Sequence, residues 1–310
     1  MRASFVIVNY NRKNDLLLTL TKTKELIEEK KSDYEIVVVD NASTDGSAAA
    51  IKQEFPEVIL IENPVNTGAP AWNLGFKKAK GDYFVILDDD SHIEYGLEQA
   101  LDYMEQNPKV GVLALNVTTG PYTSSMWEWT DGEEITGFIG CGAILKRETY
   151  EKIGGYADWM FLYVNEWEYG LRCLSAGYSL RYFANSNVIH RASALNRTSK
   201  RLRVFVTMHE LGIVYKHFSV DRSKYLWRVV INNLKNVKHG EFKYAWYNLI
   251  GMFKFLKMRK SLIYTPVTPE AQRLWAANFQ TTQKSAFGFL SELFTGKSSV
   301  DPQVKILKNK

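Results

Sequence analysis

The sequence predicts an α/β protein in which a doubly wound, mainly parallel sheet is followed by a C-terminal helical extension. Over the first 115 residues, short uninterrupted apolar runs alternate with segments of helical spacing. This alternation is typical of parallel strands covered by helices on both faces. Beyond residue 196 the pattern becomes helical, basic and aromatic. We therefore expect an α/β domain over residues 1–195 and a helical region over residues 196–310.

Each predicted element follows from a local signal. Apolar runs rich in β-branched residues indicate five buried strands, SFVIVNYN, YEIVVVDN, VILIEN, DYFVILDDD and VGVLALNV. Apolar spacing, capping residues and terminal glycines indicate the helices between them, residues 14–31, STDGSAAAIKQEF, GAPAWNLGFKKAK and GLEQALDYMEQNP. Residues 116–135 fit a loop or edge hairpin. A strand with a short helix, a helix ending at Gly177 and a strand ending at His190 follow.

The balance of charged residues also changes near residue 195, from acidic before it to basic after it. Residues 1–195 carry 18 Lys and Arg against 28 Asp and Glu, whereas residues 196–263 carry 15 against 3. An acidic front part and a basic rear part suggest separate tasks. The chain has 2 cysteines, no signal-peptide pattern and no apolar run of spanning length, so we expect a cytoplasmic protein.

Polar residues directly follow three predicted strands, at 9–11, 40–43 and 88–90. Ligands of doubly wound sheets bind beyond the carboxyl ends of the strands, so we expect these residues in one cleft. Adjacent carboxylates repel one another, and Mg²⁺ or Mn²⁺ relieves that repulsion. A solvated turn or a helix-capping cluster explains the Asp triplet equally well.

Two further features favour nucleotide binding. The Asp40 carboxylate can accept hydrogen bonds from a base, with an Asx turn as the alternative. Asn66, Gly68, Asn73 and Gly75 lie in NTGAPAWNLG, where glycine permits close backbone approach and a helix N-terminus favours phosphate. Ordinary loop chemistry explains this segment as well.

In combination, five stretches resemble family 2 glycosyltransferases with the GT-A fold: FVIVNYNR, IVVVDNASTDGS, NTGAPAWNLGFKKAKGDYFVILDDDS, GCGAILKRETYEKIGGYAD and FLYVNEWEYGLRCLSAGYSLRYFANSNVIH. Bacterial rhamnosyltransferase-like enzymes of surface polysaccharide synthesis are the group that they resemble most. The resemblance implies a catalytic domain over roughly residues 1–195. Its nucleotide-sugar half would span about residues 1–115, and its acceptor half about residues 116–195.

The resemblance also implies a donor site. Asp40 would read the nucleotide base in a pocket lined by Val8 and Tyr10, and Asp88 would face the ribose or the sugar. The full set of predicted donor-binding residues is Val8, Tyr10, Asn11, Asp40, Asn66, Gly68, Asn73, Asp88 and Asp89.

The divalent metal, Mg²⁺ or Mn²⁺, would be bound by Asp90, with His190 completing its shell. A lone histidine at a strand end is more often structural, which is the alternative for His190. His92 is interpreted as a loop residue.

In many family members a Glu-Asp pair opens a helix before a Leu-Arg step, and its Asp is the general base. Here the pair is Asn165-Glu166, which makes Glu166 the predicted base with a carboxylate one methylene further out. Glu168 is the alternative base. Both acidic residues also suit a helix N-terminus for purely structural reasons.

The acceptor side is expected at Gly140, Cys141 and Gly142, whose backbone would form a wall between donor and acceptor. Aromatic faces cover the apolar faces of sugar rings, so Trp159 is a predicted acceptor contact. Core packing is the alternative for it, and for two further candidates, Trp127 and Trp129.

Residues 196–263 mix basic and aromatic residues at helical spacing, which suits contact with an anionic membrane surface. The alternatives are helices packed on the catalytic domain or a homo-oligomer interface. Because the sequence holds no recognised nucleic-acid module, no nucleic-acid partner is expected. The expected location is the cytoplasm, at the inner face of the cell membrane.

The predicted function is an inverting transfer of rhamnose or another hexose from a nucleotide-diphosphate sugar to a hydroxyl. The acceptor would be a glycan or a lipid-linked glycan in surface polysaccharide synthesis. A nucleotidyltransferase is one alternative, although NYNRKND lacks the glycine of a phosphate loop. A catalytically inactive glycan- or nucleotide-binding scaffold is the other, because Asn165 replaces an acidic residue.

Overall fold

The structure is a computed structural model that describes residues 1–119, 129–191, 198–234 and 242–281. The chain divides into two compact units, Met1–Asn196 and Arg197–Lys310. The first unit is an α/β unit built on one mixed sheet, and the described part of the second consists of helices and the segments that connect them.

The sheet of the first unit has the strand order β3-β2-β1-β4-β8-β6-β9-β5, with β7 also paired to β9. The strands are β1 (Ala3–Asn9), β2 (Tyr34–Asn41), β3 (Ile59–Asn63), β4 (Tyr83–Asp88), β5 (Ser91–Tyr95), β6 (Val110–Thr119), β7 (Glu134–Ile135), β8 (Ala143–Lys146) and β9 (Ser179–His190). Strands β1 to β4 pair in parallel, as do β6 and β9, whereas β5, β7 and β8 run in the opposite direction. Six of the nine strands in the described ranges therefore share one direction, which confirms the mainly parallel sheet.

Helices cover both faces of this sheet. They are α1 (Lys13–Ile27), α2 (Ser47–Glu54), α3 (Trp72–Lys78), α4 (Leu97–Gln106), α5 (Arg147–Ile153) and α6 (Asn165–Ser175). Alternate residues of β1 enter different apolar clusters, Phe5 and Ile7 on one face and Val6 on the other. Because successive side chains of a strand point to opposite faces, an unbroken apolar run such as FVIV is required here.

Strand β5 is the main departure from the predicted elements. His92, which the sequence pattern placed in a loop, lies in β5 and is buried. The strand forms because Ser91 to Tyr95 pair antiparallel with β9, with Ser91 opposite His190. Its segment SHIEY carries a single aliphatic residue, Ile93, and therefore gives no strand signal of its own.

The second unit contains α7 (Ser199–His217), α8 (Arg222–Leu234), α9 (Phe242–Met258) and α10 (Pro269–Thr281). Helix α7 packs against α9 so closely that a Cβ at Gly251 would lie 2.7 Å from the Val204 carbonyl oxygen. A buried polar network joins α7, α8 and α9, with Thr207 donating to Asn233 at 2.8 Å and Asn248 donating to the Asn233 carbonyl at 2.6 Å. Within the described ranges, no helix combines the length and the apolar character needed to cross a bilayer.

Candidate active site

Strand register brings three polar side chains together at the carboxyl edge of the sheet. Asn9 pairs with Asp40 across β1 and β2, and Val8 pairs with Asp88 across β1 and β4. The Asn9 amide donates to Asp40 Oδ1 at 2.9 Å, and the Ser43 backbone N–H donates to Asp40 Oδ2 at 3.3 Å. Asp40 is therefore buried and held in an Asx-type arrangement at the end of β2.

The end of β1 is fixed against the loops that follow β4 and β2. The Tyr10 backbone N–H donates to Asp89 Oδ2 at 3.3 Å. Asn11 adopts a left-handed φ of 54°, and its side-chain oxygen accepts a hydrogen bond from the Thr44 N–H at 2.7 Å. Asparagine tolerates this conformation better than most residues. Tyr10 and Asn11 remain half-buried beside the buried Val8.

The loop before α3 approaches the segment that leads into α6. Gly68 has a φ of 70°, and a Cβ there would lie 1.8 Å from the Phe161 carbonyl oxygen. The Ala69 N–H donates to that same oxygen at 2.7 Å. Asn66 Oδ1 accepts from the Gly68 N–H at 3.0 Å and from Asn41 at 3.0 Å. Glycine at position 68 thus permits a close backbone approach to Phe161, and the role of Gly68 in nucleotide binding stays a prediction.

Asn73 in α3 fixes the backbone of Tyr156. Its amide nitrogen donates to the Tyr156 carbonyl at 2.8 Å, and its oxygen accepts from the Tyr156 N–H at 2.8 Å. The Tyr156 hydroxyl is buried and has no hydrogen-bond partner among the described residues. Burial, and then the nearby Glu166 carboxylate, raise the pKa of Tyr156 well above its ordinary value. In the sequence, Tyr156 gives no signal beyond that of an ordinary aromatic residue.

The three carboxylates after β4 have different surroundings. Asp88 is half-buried, Asp89 is buried, and Asp90 is fully buried. Arg12 Nη1 lies 2.8 Å from Asp89 Oδ1 and 3.2 Å from Asp90 Oδ2. His190 Nε2 lies 3.2 Å from Asp90 Oδ1. Arg12, which the sequence reasoning missed, therefore offsets part of the repulsion within the triplet.

The ligand atoms of Asp88, Cys141 and His190 lie within 4.8 Å of one another. The pKa of His190 is raised, because its interactions with Cys141 and Asp90 outweigh the effect of burial, so a bound metal would have to displace the imidazole proton. Burial raises the pKa of the Cys141 thiol, and the neighbouring His190 opposes part of that rise. The carboxylates of Asp88 and Asp90 with the His190 imidazole are donors that fit a divalent metal such as Mn²⁺ or Mg²⁺.

Glu166 lies in the first turn of α6, against Gly140. A Cβ at Gly140 would lie 2.6 Å from Glu166 Oε1, so the glycine makes room for this carboxylate. Burial, with the nearby Asp88 carboxylate, raises the pKa of Glu166 to about 7 from its ordinary 4.5. Tyr163 and Val164 precede the helix with φ values of 66° and 64°. Left-handed backbone is costly for a β-branched residue, and such strain clusters at functional sites.

Glu168 has a different environment on the same helix. It is 1% exposed, and its carboxylate accepts from Arg172 Nε at 2.9 Å and from Nη2 at 2.8 Å. Arg172 also donates to the carbonyls of Ile153 at 2.6 Å and Gly155 at 2.7 Å. The pair therefore ties α6 to the segment that precedes Tyr156.

The predicted acceptor residues have mixed positions. Gly142 is enclosed, because a Cβ there would lie 2.7 Å from a Val117 methyl group. Trp159 is half-buried. Trp129 packs edge-on against Tyr182, with ring centroids 5.6 Å apart. Trp127 lies outside the described residues.

More than half of the chain matches one protein family. The pattern described as glycosyl transferase family 2 covers residues 4–170, from β1 into α6. The chain belongs to glycosyl transferase family 2. Within the family, an uncharacterized glycosyltransferase of Haemophilus influenzae is 31% identical over 112 residues, 36% of this chain and 37% of the relative. The poly(ribitol-phosphate) beta-glucosyltransferase of Bacillus spizizenii is 36% identical over 104 residues, 30% of this chain and 15% of the relative. The matches thus span well under half the length of these relatives.

Solved structures show the fold of this family 2 glycosyltransferase. S. aureus TarS in complex with UDP-GlcNAc has a TM-score of 0.59 at 15% identity, covering 85% of this chain and 84% of that one. The mannosyltransferase PcManGT of Pyrobaculum calidifontis, with GDP-Man and Mn²⁺, has a TM-score of 0.56 at 18% identity, covering 100% and 88%. The fold is therefore GT-A, as the resemblance in the sequence implied.

Proposed function

We propose that this glycosyltransferase moves a hexose, with rhamnose the first candidate, from a nucleoside diphosphate to a hydroxyl with inversion. The acceptor would be a glycan or a lipid-linked glycan of surface polysaccharide synthesis. The observation that carries the proposal is that Glu166 lies near a group of residues fit to hold a metal. Asp88 belongs to that group and is close enough to Glu166 to raise its pKa.

A nucleotide-sugar donor is supported by the site and by the similar structures, one of which holds UDP-GlcNAc and another GDP-Man. In the proposal, Asp40 reads the base between Val8 and Tyr10, and Asp88 faces the ribose or the sugar. The other donor-site residues support these by holding the surrounding loops: Asn11, Asn66, Gly68, Asn73 and Asp89.

Asp90 and His190, with Asp88 beside them, would hold the divalent metal, Mg²⁺ or Mn²⁺. When bound, the metal supplies positive charge that stabilises the leaving nucleoside diphosphate. Arg12 keeps the buried carboxylates of Asp89 and Asp90 in place through its two ion pairs.

Glu166 would remove the proton from the acceptor hydroxyl. A general base works best when its pKa is near the working pH, and the value of about 7 for Glu166 meets this requirement. Because one carboxylate serves as base and the hydroxyl attacks the anomeric carbon directly, the configuration inverts. Glu168 is unsuited to this role, since Arg172 already binds both of its oxygens. Trp159 and the backbone of 140–142 would border the acceptor.

Two further parts of the proposal concern partners. Residues 196–263 would contact the inner face of the cell membrane, which would bring the site near a lipid-linked acceptor. Homo-oligomer formation through the same region is the competing possibility.

Family membership favours sugar transfer over nucleotidyl transfer. The inactive-scaffold alternative is tested by turnover.

The deciding experiment is calorimetric titration of UDP and dTDP with and without Mn²⁺, on wild type and Asp90→Ala. Asp82→Ala is the matched control, because it removes an exposed carboxylate next to the opposite end of β4. We expect Mn²⁺-dependent binding by wild type and Asp82→Ala, and its loss in Asp90→Ala. The preferred base identifies the donor nucleotide.

Turnover separates an enzyme from a scaffold. We expect wild type to release nucleoside diphosphate from the preferred sugar nucleotide. We expect Glu166→Gln to bind the same sugar nucleotide but to turn it over at a rate lower by a factor of about 100 or more. Full activity in Glu166→Gln would remove the base assignment. Absence of binding by wild type under all conditions would contradict the metal and donor sites.

A further inference from the structure

Helix α9 presents a continuous apolar stripe to solvent. Its members recur at alternating spacings of four and three residues: Phe242, Trp246, Leu249, Phe253 and Leu256. At 3.6 residues per turn they lie within about 80° of one another, along about 21 Å of helix. Phe242, Trp246, Phe253 and Leu256 are 68%, 61%, 64% and 45% exposed. Single exposed apolar residues are ordinary, but an aligned stripe marks an interaction surface.

The packing of α9 fixes which side this stripe faces. The rest of the helix surface includes four buried residues, Ala245, Asn248, Gly251 and Phe255. At Gly251 the helix lies almost in backbone contact with α7, and Asn248 belongs to the buried network of the second unit. Rotating α9 to hide its stripe would expose these residues and break that network. The exposed stripe is therefore a property of the folded unit.

Positive charge flanks the stripe on one side. Lys243, Lys254 and Lys257 lie about 90° around the helix from the apolar residues. The 17 residues of α9 include no Asp or Glu, and Arg259 and Lys260 follow directly. A helix with an aromatic and aliphatic face, flanking lysines and no acidic residue suits the interface of a bilayer. Lysine stems extend along apolar surface while their ammonium groups reach the headgroups.

We propose that the stripe of α9 docks this chain on an anionic lipid bilayer, with the helix lying in the plane of the headgroups. Charge complementarity selects this partner, since each lysine near an anionic surface adds to the attraction. A second copy of the chain is a poorer fit, because pairing two α9 faces would bring lysines together with no acidic residue on either helix. The inference deepens the proposed membrane contact, but it rests on binding alone and not on sugar transfer.

The test is cosedimentation of the full chain with two kinds of vesicle, phosphatidylcholine alone and phosphatidylcholine mixed with phosphatidylglycerol. We expect wild type to bind the mixed vesicles and to be released by salt. Replacing Lys243 and Lys257 together by Gln is expected to weaken partitioning about thirtyfold. Lys77→Gln with Lys78→Gln is the matched control, since both lysines are exposed on α3 and the net charge changes equally. The control pair is expected to bind as wild type does.

Phe253→Glu tests the apolar stripe and is expected to abolish binding to the mixed vesicles, with a circular dichroism melt checking that the helical unit is folded. Equal binding by the Lys243 and Lys257 pair and the control pair would overturn the proposal. So would a lipid-free dimer that Phe253→Glu converts to monomer in light scattering, because the stripe would then be a self-association surface. Turnover of a soluble donor is measured on the same samples. Lipid binding without turnover would leave this inference standing and contradict only the proposed function.

Discussion

Replacing Glu166 with Gln is expected to stabilise the fold at neutral and alkaline pH while it slows sugar transfer by a factor of about 100 or more. Burial raises the pKa of Glu166 to about 7 in the folded protein, whereas the unfolded chain titrates near the ordinary 4.5. The folded state therefore holds this proton more tightly than the unfolded state. The resulting stability is fully present below about pH 4.5 and is lost as the pH rises through about 7. The difference between the two pKa values corresponds to about 3 kcal/mol.

Glutamine has nearly the shape of glutamate and leaves the contact with Gly140 in place, but it carries no charge to bury. The free energy of unfolding of wild type and Glu166→Gln is measured in urea across this pH range, with a chelator present to exclude metal. We expect the two proteins to agree at low pH, and the variant to be about 3 kcal/mol more stable above pH 7. Other titrating groups affect both proteins alike and leave the difference unchanged.

A stability difference that does not change with pH would refute the raised pKa of Glu166, and so would a wild type that is the more stable protein above pH 7. Either result would mean that Glu166 ionises without penalty and lies in water. The same ionisation should appear in the rate. Because the base must be deprotonated, kcat/KM is expected to rise with pH, with an apparent pKa above the ordinary 4.5 of a glutamate.

Two further variants test the supports of the site. Gly68→Ala is expected to destabilise the fold by about 3 kcal/mol or more, because its Cβ would meet the Phe161 carbonyl oxygen in addition to the strain of a left-handed φ. Gly46→Ala is the matched control, since its φ is also positive but its Cβ would meet nothing within 4 Å, and a loss of about 1 kcal/mol is expected in thermal unfolding. Equal losses of stability in Gly68→Ala and Gly46→Ala would contradict the close approach of Gly68 to the Phe161 carbonyl. Glu168→Gln leaves Arg172 buried without its counter-charge and is expected to cost about 3 kcal/mol in urea unfolding. Its kcat per folded molecule should change little, and a loss as large as that of Glu166→Gln would contradict a purely structural role.

The elements that could be predicted from sequence are those whose signals are local. Strands β1, β2 and β4 are unbroken apolar runs, and any parallel sheet covered on both faces requires such runs. Strands β5 and β7 gave no comparable signal, because SHIEY and a two-residue strand form only by pairing with the distant β9. No short-range pattern contains a pairing between Ser91 and His190, so the buried position of His92 was missed.

The candidate site likewise contains features that could be predicted from the sequence and features that could not. The location of the strand-end carboxylates in the candidate site could be predicted, because the rule that ligands bind beyond the carboxyl ends of the strands depends only on strand direction. The ion pairs of Arg12 with Asp89 and Asp90 join residues more than 70 positions apart. The proximity of Cys141 to His190 likewise depends on the tertiary fold. The left-handed backbone at Val164 had no sequence signal, because glycine or asparagine is the residue expected there.

Glu166 and Glu168 show why residue type and spacing could not assign the base alone. They are the same residue two positions apart on one helix, so their side chains point in different directions. Glu168 forms a buried ion pair with Arg172. This pair occupies the lone pairs of the carboxylate and fixes its position, whereas a base needs a free lone pair that can reach the acceptor hydroxyl. Glu166 lies against Gly140, and burial together with the charge of Asp88 raises the pKa of its carboxylate. Two carboxylates whose surroundings differ in this way take different roles. We therefore expect Glu168 to stabilise the fold through its ion pair, and we propose Glu166, whose ionisation the fold disfavours, as the base.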